Sequence, residues 1–83
     1  MTLYDFNKLS KVEQYSIAFN KASHIKSIKG ERLSFILYGL DKFYIELVYE
    51  SFNNTVVDIR TFKEGPLLNK YFPSSINAYF SKK

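Results

Sequence analysis

From Leu33 to Phe62 the chain alternates apolar and polar residues in three runs, LSFILYGL, FYIELVYE and TVVDIRTF, broken near Asp41-Lys42 and Asn53-Asn54. Such period-two runs of β-branched and aromatic residues predict three consecutive antiparallel strands. Side chains alternate along a strand, so loop length decides which residues share a face. Three-residue loops at Leu40-Asp41-Lys42 and Phe52-Asn53-Asn54, the latter with Asn54 at positive φ, put every odd-numbered strand residue from Leu33 to Thr61 on one side. That side is almost wholly apolar. It pairs Leu37 with Ile45, Leu47 with Ile59 and Tyr49 with Val57. A two-residue loop would instead set Leu37 beside Glu46, so the apolar pattern selects the three-residue form. On the even side Glu46 then faces Arg60, and Tyr38, Tyr44 and Phe62 form an aromatic row.

The flanks read as cover for this sheet. Thr2 and Asp5 have the spacing of a capping box and predict one turn with Leu3 and Phe6 on one side; Ser10 and Glu13 repeat it and start a longer helix to Ala22. Val12, Tyr15, Phe19 and Ala22 recur at helical period and predict the buried stripe, directed at Leu37, Ile45, Leu47 and Ile59. Glu13, Ile17, Asn20 and Lys21 fall away from it. HIKSIK, residues 24–29, alternates weakly and predicts a first strand turning at Lys29-Gly30-Glu31. A two-residue loop there sends His24 and Ile28 toward the helix, and a three-residue loop sends Ile25. Beyond Gly65, Pro66 suits a helix start, Leu67, Leu68, Tyr71 and Phe72 form an apolar side, and Pro73 breaks the helix before a last turn.

Eighty-three residues suffice for one domain, spanning 1–83. A chain this short builds a thin core, and its seven Tyr and eight Phe supply much of the area such a core needs. The absence of Cys removes disulfides and thiolate metal sites, as is usual in a reducing compartment. MTLYDFN lacks the basic and apolar regions of a signal peptide, and no apolar run reaches membrane-spanning length. A cytoplasmic location without membrane attachment is the expectation. The net charge of +4 is uneven: residues 1–29 hold five Lys against Asp5 and Glu13, whereas the strand region is acidic.

Candidate chemistry is sparse. His24 has no second His or Cys to complete a metal set, and an acid–base role needs an orienting partner. Glu46, Glu50 and Asp58 share a face, but paired carboxylates need a cleft that separates their pKa values. No phosphate-binding Gly loop or nucleophile elbow is present. The expectation is therefore no enzyme, no cofactor and no metal. The aromatic row has two readings of equal weight: cover by the C-terminal helix, or contact with another chain. Nucleic acid ranks third, because the acids on that face repel phosphate.

Leu3-Tyr4-Asp5-Phe6-Asn7-Lys8-Leu9, the run from Leu37 to Glu46, and Ile59-Arg60-Thr61-Phe62 together resemble a group of small uncharacterised bacterial proteins. The resemblance covers most of the chain. It implies a bacterial cytoplasmic origin and one compact domain, and no activity. In that group a Gly often stands at the position of Lys42, which suits a left-handed loop residue.

The sequence thus predicts an α+β fold: an N-terminal helix packed on a three- to four-stranded antiparallel meander, with a short broken C-terminal helix. The expected function is a protein-interaction module, self-associating or docking on another protein through Tyr38, Tyr44, Glu46, Arg60 and Phe62. The alternative is a weak nucleic-acid binder that uses the basic helix flanks and tail.

Overall fold

The computed structural model describes residues 1–65 and Tyr71. The expected C-terminal helix lies outside the described residues. The rest is an α+β fold of two short helices, α1 (Leu3–Asn7) and α2 (Lys11–Asn20), followed by four strands. These are β1 (Ser23–Lys29), β2 (Leu33–Leu40), β3 (Phe43–Glu50) and β4 (Thr55–Phe62), all antiparallel in the order β1-β2-β3-β4. Both capping boxes form, at Thr2/Asp5 and Ser10/Glu13, and each satisfies helix N–H groups that would otherwise lack partners. They separate the helices near Leu9 as the sequence predicts.

The two hairpin turns depart from expectation in different ways. Leu40 pairs with Phe43, so the β2–β3 loop has two residues, Asp41 and Lys42, and Asp41 takes the positive φ (53°). Leu37 consequently sits opposite Glu46, and Tyr38 opposite Ile45. At the β3–β4 turn Asn54 does adopt φ 57°, but Glu50 pairs with Thr55 across four loop residues. An even loop inverts the facing of the strands, and a bulge at Val57 inverts it back. Leu47–Ile59, Ile45–Thr61 and Glu46–Arg60 therefore pair as the sequence predicts, while Tyr49 faces Val56 in place of Val57.

β1 resolves its ambiguity in neither of the two ways offered. Gly30 N donates to Leu33 O (3.1 Å), closing a two-residue turn at Glu31-Arg32. A Cβ on Gly30 would lie 2.5 Å from that same oxygen, so the close approach requires glycine. A bulge at Ile25 then divides the strand: His24 pairs with Tyr38 and Ile28 with Phe35, which places them on opposite faces.

Helices α1 and α2 pack on the face that carries Tyr38, Leu40, Phe43, Ile45, Leu47, Tyr49 and Ile59. Phe6, Ala18, Phe43, Ile45 and Leu47 form its buried centre. The orientation of α2 corrects the predicted stripe. Val12 is 76% exposed and Phe19 52%, whereas Gln14 and Ala18 are buried. Ala18 lets the helix approach the sheet closely, and Gln14 Nε2 donates to Phe6 O (3.0 Å), which turns that flank toward α1. Tyr15 and Ile17 border this contact on either side. Denaturant titration can check the rotation: Val12→Ala should change stability by less than about 0.5 kcal/mol. Ala18→Leu, which overfills the contact, should cost about 1–3 kcal/mol. The reverse order would restore Val12 to the core.

Candidate functional site

The face away from the helices is built from odd positions of β2 and even positions of β3. One row of register partners crosses all four strands there: Lys26, Leu37, Glu46 and Arg60. The Glu46 side chain has no solvent exposure, and Leu37 and Val48 on the same face are also buried. Tyr71 lies on this row, itself fully buried. Its hydroxyl donates to Glu46 Oε2 (2.7 Å), and its carbonyl accepts from Lys26 Nζ (2.9 Å). Arg60 Nη1 reaches Glu46 Oε1 at 3.5 Å from a half-exposed position. A hydrogen bond to an ionised carboxylate is among the stronger of protein contacts, and this one ties the described C-terminal residue to the middle of the sheet. Burial pushes the Tyr71 hydroxyl well above the usual phenol range, and the bond to Glu46 pushes it further.

Four of the five expected binding residues share this face. Tyr44 and Phe62 are register partners with stacked rings (centroids 5.6 Å apart), and Glu46 and Arg60 form the next row. Tyr38 does not belong with them. The two-residue β2–β3 turn places it on the helix face, where Phe19 and His24 meet its ring edge-on at 6.4 and 6.0 Å. The aromatic row thus reduces to a pair. Tyr71 completes it, from the C-terminal segment whose apolar side the sequence offers as cover for this face, together with Lys26, which no sequence reading assigned to the site. The bulge that puts Lys26 on this face leaves no periodic signal.

Among the described residues β1 and β4 form the edges of the sheet, and both carry bulges. On β4 the Ile59 amide donates to Asp58 Oδ1 (2.9 Å), while Asp58 Oδ2 accepts from Arg60 Nε (3.0 Å). The Arg60 hydrogen bond, reinforced by the Ile59 amide, holds the Asp58 carboxyl below the usual carboxylate range. A bulged strand with an amide already taken is a poor template for another strand, so the faces remain as surfaces for contact.

No described helix is long and apolar enough to cross a membrane. Among the described residues no three His, Asp or Glu side chains converge as metal binding requires. No protein-family model, curated protein or solved structure matches this chain.

Proposed function

We propose that this chain is a non-enzymatic protein-interaction module that associates with a second copy through the face bearing Tyr44, Glu46, Arg60 and Phe62. The stacked Tyr44–Phe62 pair beside Arg60 carries the reading. Aromatic rings and Arg dominate the energetics of protein interfaces, and these rings are only half-buried by their own chain. Glu46 serves as the buried foundation of this surface, because Tyr71 already engages its carboxylate. The face also carries both signs of charge, Lys26 and Arg60 against Glu50 and Asp58, so a two-fold pairing can set each sign against its opposite.

Light scattering over a concentration series tests this. The mass should rise from 9.8 kDa toward twice that value, and the Tyr44→Ala/Phe62→Ala protein should remain at 9.8 kDa. A parent chain that stays monomeric at the highest concentration reached would remove self-association through this face.

A further inference from the structure

Tyr71 meets the sheet at two strands that are not neighbours. Its hydroxyl donates to Glu46 of β3 (2.7 Å), and its carbonyl accepts from Lys26 of β1 (2.9 Å). The residue thus bridges the strands on either side of β2, along the register row that contains Leu37. The site is selective for tyrosine, because the carboxylate it presents is fully buried and takes its hydrogen bond from the phenol.

The same row borders the self-association face. Glu46 and Arg60 are register partners, and so are Tyr44 and Phe62 two positions along. A second copy that presses on Tyr44, Arg60 and Phe62 therefore also meets the place where Tyr71 is seated. Neither of the two hydrogen bonds depends on which copy supplies the tyrosine.

The chain leading to Tyr71 permits either source. β4 ends at Phe62, and Gly65 follows with φ 120°, backbone that glycine enters far more readily than other residues. A Cβ on Gly65 would meet no atom within 4 Å, so the glycine serves a change of chain direction and not close packing. Such positions act as hinges. The link from Gly65 to Tyr71 spans up to about 20 Å when extended, and sheets stacked face to face lie about 10 Å apart. With a two-fold axis passing beside Tyr44 and Phe62, the Glu46 of a second copy falls within that reach. Exchange replaces each Tyr71 contact by an identical one, so the dimer forfeits none of them and gains the area buried at Tyr44, Arg60 and Phe62.

We infer that the dimer exchanges Tyr71, so that Glu46 and Lys26 of each copy hold the tyrosine of the other. This rests on self-association through the same face and adds that each copy contributes a residue to the site of its mate.

Tyr71→Phe and Glu46→Met each leave one half of the hydrogen bond without its counterpart. The two variants can be refolded together in equal amounts, at a concentration where the parent is a dimer by light scattering. In an exchanged dimer of the two, the Glu46 of one chain receives the Tyr71 of the other, and the introduced methionine receives the introduced phenylalanine. Both sites are then matched. The thermal midpoint of the mixture should stand at least about 5 °C above that of either variant alone. Where a single variant is unfolded, mixing should restore the circular dichroism of the folded chain. If each tyrosine stays on its own chain, both mismatches persist and the mixture melts as the sum of the two variants. That result with a dimeric parent would overturn the exchange and leave self-association standing. A parent that is monomeric at every concentration would remove both.

Discussion

Tyr71→Phe should destabilise the fold by about 3 kcal/mol, although it removes one oxygen atom. That oxygen donates to Glu46 Oε2 at 2.7 Å, and Glu46 is fully buried. Removing one partner of a buried, charged hydrogen bond costs about 1–3 kcal/mol for the lost satisfaction and up to about 5 kcal/mol where an ionised group loses its counterpart. Arg60 contacts the other carboxylate oxygen, at 3.5 Å, and also serves Asp58, so it holds Glu46 less closely than the hydroxyl does. Replacing both groups by apolar ones of similar shape relieves the mismatch. Tyr71→Phe/Glu46→Met should therefore recover to within about 1 kcal/mol of the parent. Guanidinium titrations of the single and double variants measure both values. A loss below about 1 kcal/mol in Tyr71→Phe would show that the hydroxyl contributes little to holding Glu46.

The same hydroxyl shapes the response to alkali. Burial, then the bond to Glu46, raises the Tyr71 hydroxyl above its ordinary value of 10.0, and burial raises Tyr38 and Tyr49 in the same direction. Each phenol keeps its proton in the fold at a pH where the unfolded chain has lost its own. Its contribution to stability is thus complete below pH 10 and declines as pH rises beyond it. Stability followed by denaturant titration should fall as pH rises above about 10. In Tyr71→Phe the fall should be shallower, because one of three such groups is gone. An unchanged slope would mean that the Tyr71 hydroxyl ionises in the fold as it does in the unfolded chain.

The local chemistry of the chain was more legible than its long-range pairing. Thr2/Asp5 and Ser10/Glu13 announce the helix starts because a capping box is a contact between near neighbours. Asn54 was identifiable as the left-handed residue for the same reason. Apolar alternation selects a three-residue β2–β3 loop only where one face of the sheet is buried and the other wet. Both faces are buried in the middle of the sheet, where Leu37, Glu46 and Val48 lie on one side and Ile45 and Leu47 on the other. Alternation then loses its power to choose a register. Tyr38 left the candidate site through that one-residue change. The stripe on α2 misled in a related way: Val12 and Phe19 have the spacing of a core face, but Gln14 finds the Phe6 carbonyl and rotates the helix. Hydrophobicity alone gives no reason to bury a Gln. Val57 and Ile25, the bulged positions, carry no turn residue to mark them, so the pairing shifts there had no signature.

Phe6→Ala should have the largest effect of any single truncation toward the helix side, about 3–5 kcal/mol. Phe6 is fully buried, and its ring lies 5.7 Å from Phe43, joining α1 to the β2–β3 end of the sheet. Its carbonyl accepts from Gln14 Nε2, so the same residue positions both helices. A domain of this length has about 4–12 kcal/mol to lose, and the variant should be partly unfolded at 37 °C. Gln14→Ala removes the amide and leaves the ring, and should cost about 1–3 kcal/mol. Because the two residues share one contact, the double variant should lose less than the sum of the single losses. Circular dichroism melts with denaturant titrations of the four proteins give that cycle. Strict additivity would mean that the Gln14 bond does not depend on the seating of Phe6, and that α2 is held in its rotation by Ala18 and its sheet contacts alone.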